Sequence, residues 1–354
     1  MSVTTEREIS IAGRPIGPAH PPYIVAEMSS NHKGDIKRAL SLLEVARAAG
    51  VDAVKLQTYT ADTMTIDHDG PGFRIEGGLW HGRTLYELYR EAHTPWGWHE
   101  DLFAKGRELG LTVFSSPFDH SAIELLERLD APAYKIASFE IVDLPLIERA
   151  AATGKPLVIS TGMANLDEVA DAVDAAHRGG CDSIALLHCT SGYPTPPEDS
   201  NLRALPRLAQ AFDAVAGLSD HTRGTAVAVT AVAFGAALIE KHFTLRRADG
   251  GPDAEFSLEP EELAELVQAC RTAWAALGRA EVGCAASEES NKVFRRSLYV
   301  VVDIPAGERF TPQNVRSIRP SYGLAPKHLA EILGRRATRR LTRGTPLDWS
   351  AVGD

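Results

Sequence analysis

The sequence predicts a (β/α)8 barrel followed by a small C-terminal domain. Eight short apolar or β-branched runs alternate with helical patterns through the first 280 residues, and several helical patterns end at glycine, as at Gly50, Gly110 and Gly154. Buried strands interleaved with helices form parallel sheets, and eight such units in about 250 residues fit a barrel. A doubly wound open sheet is the competing fold, but no Gly-x-Gly-x-x-Gly motif follows the first strand.

The elements follow one another in regular order. The strands are expected at Tyr23–Ala26, Ala53–Leu56, Thr112–Phe114, Ala133–Ile136, Leu157–Ile159, Ser183–Leu187, Ala214–Leu218 and Ala237–Ile239. The helices are expected at Lys37–Ala49, Pro95–Leu109, Ser121–Leu129, Leu144–Ala152, Leu166–Arg178, Leu202–Phe212, Ala226–Phe234 and Pro260–Leu277. A long insertion, Thr58–His93, separates the second strand from the next helix, and its aromatic content favours an ordered lid.

The chain changes character after the last barrel helix. We expect the barrel and an N-terminal cap to occupy residues 1–280 and a polar linker to occupy residues 281–295. Residues 296–354 are turn-rich and form a domain too small to bury a large core alone.

Composition limits the function classes. The 354 residues carry a formal net charge of −10, which argues against nucleic-acid or membrane-surface binding as the main role. The four cysteines include no C-x-x-C pair, and no uncharged run reaches the ~20 residues that span a bilayer. The start of the chain does not resemble a signal peptide, so a reduced cytoplasmic protein is expected.

Polar residues cluster where the predicted strands end, which is where barrel enzymes place their chemistry. Eight polar strand ends that converge on one mouth indicate an enzyme. Two lysines and several short hydroxyls suit a phosphate or carboxylate cradle, although the lysines could instead form salt bridges inside the barrel. These residues are Lys55, Lys135, Ser116, Ser138, Ser160, Ser191 and Ser219.

Two histidines end adjacent strands. His221 and His242 can meet at one cation and, with waters, form an open site that polarises a carbonyl; a metal-free general base is the alternative. Glu27, Glu140 and Glu240 are the candidate carboxylates for acid–base work. Most other histidines, including His32 and His99, are expected at the surface or in loops, and His188 is expected to be a packed side chain.

The sequence resembles the sialic acid synthase family of phosphoenolpyruvate-dependent nonulosonate synthases. The matching motifs are IVAEMSSNHKGD, AVKLQTYTADTMT, FSSPFD, AYKIASFEI, ISTGMA, CTSGYPTPPED, GLSDHT, IEKHFTL and GGPDAEFSLEP. The tail from RRSLYVVVDIP to GRRATRRLTRGTPL resembles the family's C-terminal antifreeze-like (SAF) domain. The insertion GLWHGRTLYELYREAHTPW, with KIASFEI and CTSGYP, resembles the pseudaminic acid branch of the family rather than the N-acetylneuraminate branch. An N-acetylneuraminate or legionaminate synthase that uses another N-acetylated hexose is the alternative.

The resemblance implies that phosphoenolpyruvate condenses with a diacetamido-trideoxy hexose to give a nine-carbon 2-keto acid and phosphate. It implies that His221 and His242 bind Mn²⁺, with Mg²⁺ or Co²⁺ as alternatives, and that the lysines and serines named above hold phosphoenolpyruvate. Glu27 is expected to position or deprotonate a water, with Glu240 beside the metal. Five residues match positions that face the sugar: Gln57, Glu140, Tyr193, Asp253 and Arg319.

The resemblance also implies a homodimer in which each small domain lies over the partner's barrel.

Two departures from the family pattern affect the site. Ser191 stands where the neuraminate branch has Asn, and Ser321 replaces the Gly of an Arg-Pro-Gly motif. If that Gly is needed at φ > 0, Ser321 would carry strain in the loop that presents Arg319. Related 3-deoxy-sugar acid synthases are a second enzyme class, and an ice- or glycan-binding protein is a third possibility, disfavoured by the charged small domain.

Overall fold

The computed structural model describes residues 7–354, and its larger unit is a closed barrel of eight parallel strands. A hairpin of β1 (Ile9–Ile11) and β2 (Arg14–Ile16) precedes the barrel. The barrel strands are β3 (Tyr23–Glu27), β4 (Ala53–Thr58), β5 (Thr112–Pro117), β6 (Tyr134–Ile136), β7 (Leu157–Ser160), β8 (Ile184–Cys189), β9 (Val215–Asp220) and β10 (Leu238–His242). They pair in chain order, and β10 closes the barrel against β3. The predicted fold class is confirmed.

Most strands run one to three residues beyond the ends expected from the sequence. The additional residues are largely polar, so they break the apolar pattern by which a strand is recognised. In β10, for example, the strand continues through Glu240 and Lys241 to His242, and all three residues are buried. The polar ends are therefore part of the barrel wall.

The helices follow the strands as expected. They are α1 (Ile36–Ala49), α2 (Ala61–Met64), α3 (Leu85–Ala92), α4 (His99–Leu109), α5 (His120–Arg128), α6 (Leu144–Ala151), α7 (Leu166–Arg178), α8 (Ala204–Phe212), α9 (Ala226–Ala233) and α10 (Pro260–Leu277). Gly50 ends α1 in the left-handed conformation at φ +82°, which glycine adopts without a steric cost. Among residues 7–354, no helix has both the length and the apolar character that crossing a lipid bilayer requires.

Two apolar layers follow from the alternation of side chains along each strand. One face packs against the helices, as Ile24, Leu56 and Ile159 do. The other face fills the barrel interior with residues such as Val25 and Phe114, next to the N-terminal hairpin. Since side chains alternate with period two, the residues that follow this inner layer also point into the barrel.

The insertion between β4 and α4 is ordered. It contains α2 and α3, and a bridge pairs Arg74 with Thr84. Thr84 caps α3, because its hydroxyl accepts from the Glu87 amide while the Glu87 carboxylate accepts from the Thr84 amide. Regular structure begins at α2, which is earlier in the insertion than the sequence indicates, because the sequence has a helical pattern only over residues 84–91.

The chain divides into two compact units, one that ends at Gly278 and one from Arg279 to Asp354. In the second unit, β11 (Ser297–Val300) pairs antiparallel with β12 (Val315–Ile318), and α11 (Leu329–Ile332) follows. A separate apolar core surrounds Leu298 and Phe310. Within residues 281–295, expected to be a linker, Ala286–Phe294 forms an exposed 3-10 helix.

Candidate active site

A ring of eight buried side chains, called the polar ring below, lies at the C-terminal ends of the barrel strands. Seven of them stand two residues after a member of the inner apolar layer, and the eighth follows Gly217 in the same way. The strand period therefore turns all eight into the barrel. The polar ring consists of Glu27, Lys55, Ser116, Lys135, Ser160, Cys189, Ser219 and Glu240.

Ion pairs connect the lysines and glutamates of the polar ring. Lys55 Nζ lies 2.6 Å from Glu27 Oε2 and 3.7 Å from Glu240 Oε1. Lys135 Nζ lies 3.6 Å from the same Glu240 oxygen. The salt-bridged arrangement considered as an alternative is thus present. It does not exclude a cradle, because the strand period turns both lysines into the barrel.

The two carboxylates of the polar ring have opposite protonation tendencies. Burial raises the pKa of Glu27, and the attraction of Lys55 only partly offsets that effect. Burial acts in the same direction on Glu240, but Lys135 and Lys55 together lower the pKa of Glu240. Two nearby carboxylates with pKa values moved apart are suited to different roles, one that can accept and release a proton and one that remains ionised.

Hydroxyl groups surround the lysines. Ser116 Oγ lies 3.3 Å from Lys55 Nζ, and Ser219 Oγ donates to Glu240 Oε1 at 2.9 Å. Just beyond the polar ring, Ser138 and Ser191 hydroxyls lie 2.9 Å apart. In the described part of the chain, the buried Ser160 hydroxyl has no hydrogen-bond partner. A buried hydroxyl without a partner is unfavourable unless a ligand supplies one.

Burial also affects the lysines directly. It lowers the pKa of Lys135, although Glu240 acts in the opposite direction. For Lys55 the two nearby carboxylates outweigh burial, so the pKa of Lys55 is raised. An incoming phosphate or carboxylate would favour the charged form of both side chains.

The two histidines meet as expected. The ring centroids of His221 and His242 lie 5.3 Å apart, and both side chains are buried. His221 Nδ1 donates to the Thr190 carbonyl at 2.9 Å, which leaves Nε2 available. Burial lowers the pKa of His221, but Cys189, the Thr190 carbonyl and Glu240 outweigh that effect, so the pKa of His221 is raised. Burial and the nearby His221 lower the pKa of His242 well below its usual range, so that the His242 ring is neutral.

These features fit an open divalent-cation site. The buried Nδ1 of His242 has no hydrogen-bond partner within residues 7–354, and neutral imidazole is a common metal ligand. Over the same residues there is no group of three or more His, Cys, Asp or Glu side chains that could hold a metal ion. The two histidines would therefore need substrate or water oxygens to complete the coordination.

Aromatic rings enclose the histidine pair. The Tyr193 ring lies 4.4 Å from the His221 ring, and the Phe256 ring lies 4.9 Å from the His242 ring. Trp80, from the insertion, lies 5.7 Å from Tyr193 and donates through Nε1 to the Pro252 carbonyl at 3.0 Å. The insertion is therefore fixed to the loop after β10, beside the barrel mouth.

A cavity of about 430 Å³ lies next to the polar ring and the histidine pair. Four of the five residues expected to face a sugar line it: Gln57, Glu140, Tyr193 and Asp253. Residues of the insertion, including Trp80, Leu88 and Tyr89, supply much of its apolar wall. A cavity with apolar walls and a few polar groups is typical of a small-molecule site.

The polar groups of this cavity have defined partners. Asp253 Oδ2 accepts from the Ser29 hydroxyl at 2.6 Å and from the Ser30 hydroxyl at 2.9 Å. The Gln57 side chain donates to Glu27 Oε1 at 3.0 Å and to Ser29 Oγ at 3.1 Å. Gln57 thus links the sugar cavity to the polar ring. Burial raises the pKa of Glu140 to about 7.

Arg319 is the fifth residue expected to face the sugar. It lies in the second unit directly after β12 and is exposed there. A larger cavity of about 770 Å³ lies near the opposite end of the barrel strands, beside Pro18, Ala237 and Trp274. Its wall is mostly apolar and contains none of the candidate residues, whereas barrel enzymes place chemistry at the C-terminal face.

Two expectations about histidines are wrong, and one ring member is missing from the candidates. His32 and His99 are fully buried, because they pack beneath the insertion and not at the surface. His99 bonds the Thr58 hydroxyl at 2.8 Å. His188 is packed as expected and bonds the Ser200 carbonyl. Cys189 belongs to the polar ring but is not among the residues expected in the site; counting two residues from Leu187 identifies it.

Similarity to known proteins agrees with this geometry. Residues 42–282 match the NeuB family, and residues 295–353 match the SAF domain. The chain belongs to the NeuB family. The resemblance drawn from the motifs is thereby confirmed.

Members of the NeuB family with named activities are similar along most of this chain. Pseudaminic acid synthase from Helicobacter pylori is 45% identical over 92% of this chain and 96% of its own length. N,N'-diacetyllegionaminic acid synthase from Legionella pneumophila is 36% identical over 96% and 97% of the two chains. A crystal structure of N-acetylneuraminic acid synthetase from Leptospira borgpetersenii has a TM-score of 0.73 at 31% identity, covering 81% of this chain and 95% of that one.

Proposed function

We propose that this NeuB-family chain condenses phosphoenolpyruvate with 2,4-diacetamido-2,4,6-trideoxy-L-altrose to give pseudaminic acid and phosphate. The observation that carries the proposal is a buried ring of lysines and hydroxyls that adjoins an aromatic-walled cavity with few polar groups. The 45% identity to a pseudaminic acid synthase supports this sugar over those of the legionaminate and neuraminate branches.

The polar ring would hold phosphoenolpyruvate. Lys55 and Lys135 supply cationic donors for its phosphate and carboxylate groups, and the hydroxyls of Ser116, Ser160 and Ser219 supply further donors around them. Ser138 and Ser191 extend this surface toward the cavity. The unpartnered hydroxyl of Ser160 would gain its hydrogen bond only when the anion binds.

His221 and His242 would hold a divalent cation, Mn²⁺ in our proposal, with Mg²⁺ or Co²⁺ as alternatives. Such a cation supplies a Lewis acid that polarises the aldehyde of the open-chain sugar. The Thr190 carbonyl fixes the His221 ring so that Nε2 is available, and the packing of Phe256 against His242 fixes the second ring. Excess chelator should abolish activity, and added Mn²⁺ should restore it; full activity in chelator would contradict this site.

Glu27 would position and deprotonate the water that the reaction consumes. C3 of phosphoenolpyruvate attacks C1 of the sugar, water adds at C2, and phosphate leaves by cleavage of the C–O bond. The raised pKa of Glu27 suits a group that takes up a proton, while the lowered pKa of Glu240 suits a carboxylate that stays ionised between the lysines. Gln57 holds Glu27 toward the sugar cavity.

The sugar cavity would select the substrate. Trp80, Leu88 and Tyr89 offer apolar contact to the 6-deoxy methyl group, and Glu140 and Asp253 offer hydrogen bonds to amide or hydroxyl groups. A hydroxyl that enters an apolar wall without a partner loses its hydrogen bonds to water, which penalises hydroxylated analogues. The enzyme should therefore strongly prefer the diacetamido-trideoxy hexose to N-acetylmannosamine.

The deciding experiment combines phosphoenolpyruvate with a panel of hexoses and follows phosphate release together with product mass. Phosphate should appear only when both substrates are present, and the product should contain nine sugar-acid carbons with two acetamido groups. Equal kcat/KM for N-acetylmannosamine would overturn the choice of sugar, and preference for the legionaminate precursor would move the chain to that branch. Phosphate release without any sugar would contradict the synthase reaction itself.

We further propose a homodimer in which Arg319 acts in the partner's site and binds an acetamido oxygen of the sugar. Its exposed position after β12 leaves the guanidinium available. Mixing two inactive variants, Arg319→Ala and Lys135→Ala, under conditions of subunit exchange should restore up to about half of the activity per dimer, because one site then has neither defect. Inactivity despite proven heterodimers would contradict this role.

We place the reaction in the cytoplasm, where phosphoenolpyruvate is produced.

A further inference from the structure

A buried ion pair lies directly behind the two histidines, on the side of the barrel wall that faces the helices. Lys241 Nζ is 2.7 Å from Asp220 Oδ2, and both side chains are shielded from solvent, with exposed fractions of 0% and 1%. The proposed reaction uses neither residue, since both point away from the polar ring.

The strand register explains this position. Lys241 pairs with Asp220 across β10 and β9, and the preceding pair is Glu240 with Ser219. Because side chains alternate along a strand, Glu240 and Ser219 point into the barrel whereas Lys241 and Asp220 point outward. His242 follows Lys241 and His221 follows Asp220. The ion pair therefore joins the two strands at the residues immediately before the two histidines.

The same pair also holds the residue after His221. Asp220 Oδ1 accepts from the Thr222 amide at 2.9 Å, and Lys241 Nζ donates to the Thr222 carbonyl at 2.5 Å. The backbone of His221 is thus held from both sides. Its own carbonyl accepts from the Thr195 amide at 3.0 Å.

We propose that Asp220 and Lys241 are a positioning pair that sets the spacing and orientation of His221 and His242, and thereby the affinity of this site for a divalent cation. The inference rests on the proposed cation site. Partners that orient metal ligands without touching the metal commonly change metal affinity 10–100-fold when they are removed.

Stability alone is a weak reason for a buried ion pair. Desolvation of two charges offsets most of their attraction, and a well-packed apolar pair of similar volume is often as stable. Removing one partner is different, since it leaves an uncompensated charge in the interior. A positional role and a purely stabilising role therefore predict different results for replacement of both residues together.

The test is the double variant Asp220→Leu/Lys241→Met. It should remain folded by circular dichroism but bind Mn²⁺ 10–100-fold more weakly, as measured by calorimetry on the protein without substrates. The matched control is Arg14→Met/Asp52→Leu. In that pair Arg14 Nε lies 2.8 Å from Asp52 Oδ1, and Asp52 also accepts a hydrogen bond from the Ile24 amide. Unlike Asp220 and Lys241, Asp52 lies at the start of a barrel strand, far along the strand from the histidines. The control should bind Mn²⁺ with unchanged affinity.

The inference is overturned if the folded double variant binds Mn²⁺ with unchanged affinity. It is also overturned if the control variant loses as much Mn²⁺ affinity as the double variant. If the double variant does not fold, Asp220→Asn decides, because it keeps an acceptor for the Thr222 amide and removes the charge. A several-fold weaker Kd for Mn²⁺ then supports the positioning role, and an unchanged Kd refutes it. An unmodified protein that binds no divalent cation refutes the cation site itself, which separates that failure from a failure of the pair.

Discussion

Replacing Glu140 with glutamine should stabilise the barrel above neutral pH and impair the binding of sugar. Glu140 begins the short 3-10 helix Glu140–Val142 that follows β6, and it lines the sugar cavity. Within the described residues its buried Oε2 has no hydrogen-bond partner. Burial raises the pKa of Glu140 to about 7, more than its backbone hydrogen bond and Lys135 lower it. The ionised form is thus disfavoured in the folded protein.

The expected magnitude follows from this pKa. An unfolded glutamate has a pKa of 4.5 and the folded one about 7, so the folded state binds the proton more tightly. Stability relative to Glu140→Gln is then fully present below pH 4.5 and is lost as the pH rises to about 7. At 1.36 kcal/mol per pKa unit, the loss amounts to up to about 3 kcal/mol.

Urea unfolding followed by tryptophan fluorescence between pH 4.5 and pH 8 measures this effect. The free energy of unfolding of Glu140→Gln should match that of the unmodified protein near pH 4.5 and exceed it by about 2–3 kcal/mol at pH 8. Glu124→Gln, at an exposed position of α5, is the matched control for loss of a charge. A difference for Glu140→Gln that does not change with pH would refute the reasoning.

The same variant should be a poorer enzyme. In our proposal Glu140 bonds a polar group of the sugar, so Glu140→Gln should raise the KM for the sugar while the KM for phosphoenolpyruvate stays nearly constant. A gain in stability together with a loss of function is typical of a binding residue that is held in an unfavourable environment. Unchanged kinetics for both substrates would remove Glu140 from the sugar site.

Three further outcomes are expected. Gly162→Ala should raise the KM for phosphoenolpyruvate at least about tenfold in steady-state kinetics. Gly162 has φ +50°, and a Cβ at this position would lie 2.5 Å from the Ser138 Cβ, so the serine would have to move. An unchanged KM would contradict this. Ser160→Ala should raise that KM about tenfold, consistent with one charged hydrogen bond, yet leave the urea midpoint no lower, and a large loss of stability would show that the hydroxyl is structural. Burial lowers the pKa of His99 to about 4, so stability should fall as the pH drops from 6.5 toward 4; His99→Gln should flatten this dependence, and an equally steep loss in the variant would refute it.

The alternation of apolar runs and helical patterns was sufficient to predict the barrel, because buried parallel strands and their helices have different periods. The strand ends were less predictable. In β9 and β10 the last residues are Asp220 and His242, which a hydrophobic pattern does not include. Burial of such residues depends on partners from neighbouring strands, and the local sequence does not show those partners.

The sequence predicts that the polar strand ends converge on one mouth, and the structure modifies that prediction. Only every second polar residue enters the barrel, as Ser116 and Glu240 do. Ser115 faces the helices and bonds Thr58, and Lys241 faces the helices and pairs with Asp220. Applying the two-residue period to each strand separates the two sets, whereas treating each strand end as a unit combines them.

The buried histidines show a different limit. His32 lies in a 3-10 helix, and His99 begins α4 after an insertion without clear periodicity. His32 is enclosed by the Trp98 ring at 5.4 Å and by the segment around Thr94, which is distant in sequence. Burial of this kind arises from the packing of the insertion on the barrel. A pattern confined to one helix or strand contains no information about it.

The charges of the polar ring suggest how one site can both fold and accept a highly charged substrate. Without substrate, Lys55 and Lys135 are balanced by Glu27 and Glu240, so that no buried charge is left uncompensated. Phosphoenolpyruvate would bring roughly two to three negative charges into this ring, which the lysines cannot balance while they also balance two carboxylates. In our proposal a cation at the histidines would supply part of the difference, and the proton that passes from the attacking water to a carboxylate would supply the rest. The pKa of Glu27 is raised and that of Glu240 is lowered, so Glu27 is the carboxylate that would take up the proton. The proton transfer that activates the water would then also reduce the excess negative charge of the polar ring.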